Sequence, residues 1–407
     1  MNSDAYNVNR RTFLEASPLA FSIAALLTAE STSRADDPAT PPVPLLPLTK
    51  TYRAAAIGST GNGDFGHGLD TALVKLPNVE FVAIANDNPA GLEAAGKRCG
   101  VASLYSDYRR MLEVERLDLV TIGMRHVNRH EDTVIRCAEA GKHLYCEKPL
   151  ATDLASLDRM VAACNANGVK LSVALPNRVS PAIQQVLKMV REGRIGKLRA
   201  IHTQGKCDHR GGGEDLMVLG YHSLDLMCLL AGAPQWTFAH VMQGESDVAQ
   251  EDGRPATEPI GPIAGDCIAA MFGFENQVHG YFQSHQNVDP DDDRFTLEIQ
   301  GSKGIIVARS LADVMWLDVP SFNPAKAQTW QPIHFPAWES LPDKYHWCHQ
   351  QLILDLLSAV EQGREPLSGI GNVRWVQEMI QSVYVSHFAE SRQALPLPID
   401  KRSHPLS

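Results

Sequence analysis

The stretch Arg53-Ala54-Ala55-Ala56-Ile57-Gly58-Ser59-Thr60-Gly61-Asn62-Gly63-Asp64-Phe65-Gly66 decides the fold. A short apolar run ends in a glycine-rich turn. Working outward, Arg53–Ile57 reads as a strand, and a helix is expected after the turn and through Leu76. Further short apolar runs then alternate with helical patterns. Strands are expected at Glu80–Ala85, Asp118–Gly123, His143–Cys146 and Val169–Leu175, and helices at Pro89–Cys99, Glu131–Gly141 and Leu154–Asn167. Such alternation with short turns implies an α/β domain with a doubly wound parallel sheet, covered by helices on both faces.

In that setting the glycine-rich turn is suited to cradle a phosphate. Gly58, Ser59, Thr60, Gly61 and Gly63 are the candidate cofactor-binding residues. Glycines let the backbone approach a pyrophosphate, and the expected helix start would add free N–H groups and a positive dipole end. A glycine-rich turn without a ligand is the competing reading. The second strand ends on Asn86-Asp87-Asn88. An acid there reads ribose hydroxyls, which favours NAD, with NADP as the alternative. The spacing does not choose between Asn86 and Asp87, and Asp87 is also suited to cap the next helix.

The chain has 407 residues, which fits two domains: a dinucleotide-binding domain over 51–175 and a substrate-binding and oligomerisation domain over 176–400. A net charge of −10 without a long basic run argues against nucleic acid as a partner. The eight cysteines show no C-x-x-C pair and no metal spacing, so they read as small buried hydrophobes and no metal is expected. Asn9-Arg10-Arg11-Thr12-Phe13-Leu14, an apolar stretch from Ala16 to Ala29, and Ser33-Arg34-Ala35 look like a twin-arginine export signal over 1–35. The apolar stretch is too short to span a bilayer. Residues 36–50, rich in proline and aspartate at their start, read as a linker. The expectation is a periplasmic or otherwise exported protein, off the membrane after cleavage; the alternative is a loose tail with two chance arginines. Export in the folded state would suit unpaired cysteines.

Ala140-Gly141-Lys142-His143 and Cys146-Glu147-Lys148-Pro149-Leu150-Ala151 carry a more specific signal. They resemble the signature of the glucose–fructose oxidoreductase and inositol dehydrogenase family, Gfo/Idh/MocA. The resemblance extends from about Tyr52 to about Pro398 and includes Gly301-Ser302-Lys303-Gly304 and Gly363-Arg364-Glu365-Pro366. It implies an NAD(P)-dependent oxidoreductase with an N-terminal Rossmann domain. It also implies a C-terminal α+β domain with a mainly antiparallel open sheet, which often mediates homodimers or homotetramers. By the same resemblance Lys148 lies beside the nicotinamide and contacts the reacting hydroxyl, where an ammonium stabilises negative charge developing on oxygen. Glu147 either pairs with Lys148 or binds the ribose. Asn128 and His130 fall near a segment that lines the cofactor site in the family, though the spacing is not a clean match. His130 also reads as a helix-start residue.

Beyond Asn177-Arg178-Val179-Ser180-Pro181 a helix is expected to Arg191. Strands follow at Leu198–Thr203, Thr237–Met242, Cys267–Phe274, Val278–Ser284 and Phe295–Gln300. Gly220, His222 and Asp225 match the family's D-x-G-x-H-x-x-D pattern, which implies His222 as general base. A neutral imidazole titrating near working pH suits that task. Asp225 shares a helix face with His222 and is the candidate helper. The pattern's first acid is replaced by Val218. Asp215, two turns back, is a candidate substrate contact or a helix cap. Arg178 and Lys206 are candidate substrate contacts, and Asp208, His209 and Arg210 either join them or form a solvated loop. Three activities fit: hydride transfer between a sugar or polyol hydroxyl carbon and the nicotinamide; redox-neutral sugar modification on tightly held NAD; or, in view of Val218, non-catalytic binding.

Overall fold

The computed structural model describes residues 47–288, 296–309, 313–317 and 330–407. The twin-arginine stretch and most of the linker lie outside them. β1 (Tyr52–Gly58) is followed by β2 (Val79–Asn86), α1 (Pro89–Cys99), β3 (Ser103–Tyr105), α2 (Tyr108–Val114), β4 (Leu119–Ile122), α3 (His130–Glu139), β5 (His143–Cys146), α4 (Leu154–Ala166) and β6 (Leu171–Val173). The strands form one sheet in the order β3-β2-β1-β4-β5-β6, with every neighbouring pair parallel. This is the Rossmann order, and its switch point lies between β1 and β4. Both strands are buried on both faces, which is why they read as unbroken apolar runs. β3 and α2 were not foreseen; each is too short to show a period.

The α-helix expected after the glycine-rich turn does not form. Residues 59–70 pass through successive turns and then a single 3-10 turn at Thr71–Leu73. Gly61, Gly63, Asp64, Gly66 and Gly68 all take positive φ, which a right-handed helix cannot contain. Further on, local signals set the helix ends well. Asn88 caps α1 by accepting from Gly91 N at 2.9 Å, and Gly100 stops it in the left-handed conformation.

The second domain opens with α5 (Pro181–Arg191), β7 (Leu198–Gln204), α6 (Gly213–Val218) and α7 (Gly220–Ala231). β7 lies in the middle of a ten-stranded sheet among the described residues. The sheet is antiparallel throughout, except where β7 runs parallel to His279–His285. The long helix Ile370–Phe388 covers one face: Thr237 Oγ1 meets Ser382 Oγ at 2.7 Å, and Ala239 N donates to Ser386 Oγ at 3.1 Å. The opposite face is open, with Phe238 and Tyr281 exposed in a hollow of about 430 Å³.

A second long helix, Lys344–Gln362, and the turn after it return to the first domain. Val173 N donates to Ser368 O at 2.9 Å, so this late segment adds a short antiparallel bridge to the parallel sheet beyond β6. All eight cysteines are free, five of them buried. Among the described residues no helix is long and apolar enough to cross a membrane.

Candidate active site

β5 delivers Glu147 and Lys148 to the carboxyl edge of the parallel sheet, next to the end of β4: Glu147 N donates to Ile122 O at 2.8 Å. The Lys148–Pro149 peptide bond is cis. Lys148 is only 6% exposed, and its Nζ donates to the carbonyl of Val218 at 3.1 Å. Val218 ends α6, and His222 lies one turn on, in the first turn of α7. The ammonium of one domain is thereby brought within charge reach of the imidazole of the other. Burial, and then the Lys148 ammonium, hold the His222 pKa well below its ordinary value. Burial also lowers that of Lys148, with Arg125 and Lys206 adding to the shift and Glu147 and Glu258 opposing it.

Glu147 is buried and pairs with His67, whose Nδ1 lies 2.9 Å from Oε1; it does not pair with Lys148. Burial alone would raise its carboxyl, but His67, with Lys148 and His349 adding to it, keeps it below its ordinary value. His67 in turn stacks on Tyr345. Behind Glu147, Tyr145 OH and His349 Nδ1 meet at 2.7 Å, and burial drives the His349 pKa down to about 4. His67, Tyr145 and His349 escaped the sequence reading. His67 stands directly after Gly66 and could have been noticed there. His349 arrives from 204 residues beyond Tyr145 with no local signal.

Several other candidates are placed differently from expectation. Asp225 does not assist His222. It forms a buried, two-pronged ion pair with Arg178: Nε donates at 2.9 and 3.0 Å and Nη2 at 2.6 Å. Nη1 of Arg178 goes to Leu367 O at 2.5 Å, so its guanidinium is occupied by protein and is not presented to a substrate. Both are positioning residues that fix α7 against the Pro176–Val179 turn. Asp215 does not cap α6; its Oδ2 accepts from Ser284 Oγ at 2.6 Å and Cys207 N at 3.2 Å, and burial raises its pKa. That bond holds the strand-end loop bearing Lys206, which is half-buried and charge-coupled to both Lys148 and His222. His130 is fully buried with its ring nitrogens on the carbonyls of Met124 and Leu150, so it ties two loops together and does not face a cofactor. Asn128 is exposed and meets Pro259 O through its backbone N–H.

The cofactor candidates also separate. Asn86 is buried and turned inward: its Oδ1 accepts from Thr60 N at 3.1 Å and its Nδ2 donates to Thr60 Oγ1 at 2.9 Å. Asp87 is free of the capping role, which Asn88 takes, and stands at the end of β2 with its side chain 45% exposed. Burial would raise its carboxyl, but Ser59 and Arg129 hold it below its ordinary value. Gly58 lies under the Phe65 ring, and Thr60, Gly66 and Gly91 line a groove of about 430 Å³ beside the turn. An open groove, an acid at the end of β2 and a buried lysine at the edge of β5 fit a dinucleotide laid across the sheet.

Residues 53–175 match the model of an oxidoreductase family with an NAD-binding Rossmann fold, and residues 183–307 match the Gfo/IDH/MocA C-terminal domain. The chain belongs to the Gfo/Idh/MocA family. It is 33% identical to a D-apiose dehydrogenase of Paraburkholderia graminis, over 83% of this chain and 88% of the relative. It is 26% identical to a levoglucosan dehydrogenase of Pseudarthrobacter phenanthrenivorans, over 62% and 72%. A solved levoglucosan dehydrogenase in complex with NADH and levoglucosan superposes with a TM-score of 0.71 at 22% identity, covering 86% of this chain and 100% of that one. The protein is an NAD-dependent oxidoreductase.

Two outcomes follow from these pairings. Asp225→Ala leaves the Arg178 guanidinium buried without its anion and is expected to cost about 3–5 kcal/mol of stability by urea denaturation. A cost below about 0.5 kcal/mol would show that the pair does not anchor α7. The second concerns acid. His222, His349 and His130 are neutral when folded, with pKa values below the ordinary 6.5. Below that pH the unfolded chain binds more protons than the folded one, so stability is lost as pH falls from about 6.5 towards 4. His349 alone accounts for about 3 kcal/mol of this loss. Urea midpoints at several pH values check it, and His349→Gln should flatten the slope.

Proposed function

We propose that the protein oxidises a hydroxyl carbon of a sugar or polyol, and that it is exported. One observation carries the chemistry: a buried lysine and a neutral histidine from different domains come together at the carboxyl edge of a dinucleotide-binding sheet. NAD, when bound, supplies the hydride acceptor. Lys148 holds the substrate hydroxyl oxygen and stabilises its developing charge in a cleft that excludes most water. The lowered pKa of His222 keeps its ring unprotonated at neutral pH, ready to take the hydroxyl proton as hydride leaves. Lys206 reaches the same space from the end of β7 and contacts the substrate. The position of Asp87 favours NAD over NADP, because its carboxylate would repel a 2′-phosphate. The relatives that act on D-apiose and levoglucosan point to the same substrate class.

Export rests on the Asn9-Arg10-Arg11 pattern and lends weight to redox-neutral chemistry on captive NAD as a second reading. Spectroscopic assay of NADH formation with sugars, inositols and sugar acids tests the first. Lys148→Met and His222→Asn are each expected to lower kcat by at least about a hundredfold while NAD binding persists. Undiminished turnover in either variant would remove that residue from the mechanism. NAD that survives dialysis, combined with no NADH formation on any substrate, would favour the second reading.

A homodimer or homotetramer through the open sheet face is part of the same proposal, supported by exposed Phe238 and Tyr281 on it. Light scattering is expected to give a multiple of the chain mass, falling to one chain in Tyr281→Glu. A unaltered protein that runs as one chain would refute it.

A further inference from the structure

We infer that Arg125 grips the pyrophosphate of NAD, doing the work of the helix terminus that the glycine-rich turn lacks. A Rossmann turn ordinarily offers phosphate two things, free backbone N–H groups and the positive end of a helix. Here the chain beyond the turn forms only a single 3-10 turn, eight residues after Gly63. The turn has also spent most of its own donors. Ser59 N binds Asp64 O, Thr60 N binds Asn86 Oδ1, Asn62 N and Asp64 N bind Ser59 O, and Gly66 N binds Gly63 O. A doubly charged pyrophosphate at this turn needs a cation from elsewhere.

Arg125 is placed to supply it. It follows β4 after two residues, at the switch point of the sheet. Its backbone packs against the turn so closely that a Cβ on Gly63 would lie 2.6 Å from Arg125 Cβ and 2.8 Å from its N; Gly63 also has φ of 85°. Arg125 Nε is buried and has no hydrogen-bond partner. Its nearest anion is Glu258, 4.0 Å from Nη1 and beyond hydrogen-bond reach. On its other side the guanidinium charge reaches Lys148. Arg125 thus lies against the glycine-rich turn and within charge reach of Lys148. The two other arginines near the turn are already engaged: Arg129 Nη1 holds Ser59 and Asp87, at 2.7 and 3.0 Å, and Arg98 holds the buried Asp70. The planar guanidinium fork matches two phosphoryl oxygens at once.

The test is calorimetric titration of the full chain with NAD. Arg125→Met is expected to weaken binding at least about tenfold and to make its salt dependence shallower. Glu258→Gln should leave affinity unchanged or tighten it, since it removes a competing anion. Arg125→Met binding NAD within about twofold of the unaltered protein would overturn the inference. So would equal weakening by both substitutions, which would mark Arg125 and Glu258 as a structural pair. If Arg125→Met loses its fold by circular dichroism, Glu258→Gln still decides, because weakened binding there overturns the inference. The readout is binding without substrate, so it stands or falls independently of the dehydrogenase assay.

Discussion

The contact between the Lys148 ammonium and the Val218 carbonyl joins the two halves of the molecule at the point where chemistry is expected. A buried ammonium needs an acceptor, and here the acceptor is backbone, so no side chain at position 218 is required to hold it. The replacement of an acid by valine therefore does not leave the lysine stranded. It does remove a negative charge from beside His222, where the ammonium groups of Lys148 and Lys206 already act on the ring. The histidine is consequently held neutral by its surroundings as well as by burial.

Around this contact the remaining polar residues divide into those that face the cleft and those that hold it in shape. Arg178 and Asp225 neutralise each other beneath α7, so the helix carrying His222 rests on a fixed support. Glu147 is held by His67 from the glycine-rich segment, and Tyr145 by His349 from a late helix. The sheet edge is thereby braced from two separate parts of the chain, which is the kind of support that keeps a reactive side chain in one orientation.

Local patterns made much of this legible in the sequence. The strand–helix alternation from β1 to β6 is written in short apolar runs and in caps such as Asn88, Gly100 and Asp153, which act on their own neighbours. The same locality misled at two places. Phe65, Leu69 and Leu73 recur at helical spacing and are all buried, but the positive φ values between and around them impose turns instead. Asp225 lies three residues from His222 on one helix face, yet its charge is taken by Arg178, 47 residues earlier. Partners brought from far along the chain, such as His349 and Ser368, leave no trace in any window short enough to read.

The return of Ser368 and Gly369 to the edge of β6 bears on how the chain matures. The edge that this segment closes is synthesised some 195 residues before its partner exists. Until the late helices emerge, a nascent chain would present an unpaired strand and an apolar flank, the state most open to capture by chaperones and to mispairing with other chains. Completion of the nucleotide-binding half is thus tied to completion of translation, and a chain cut short before residue 368 would lack the strand partner of a domain that its own sequence has already finished encoding.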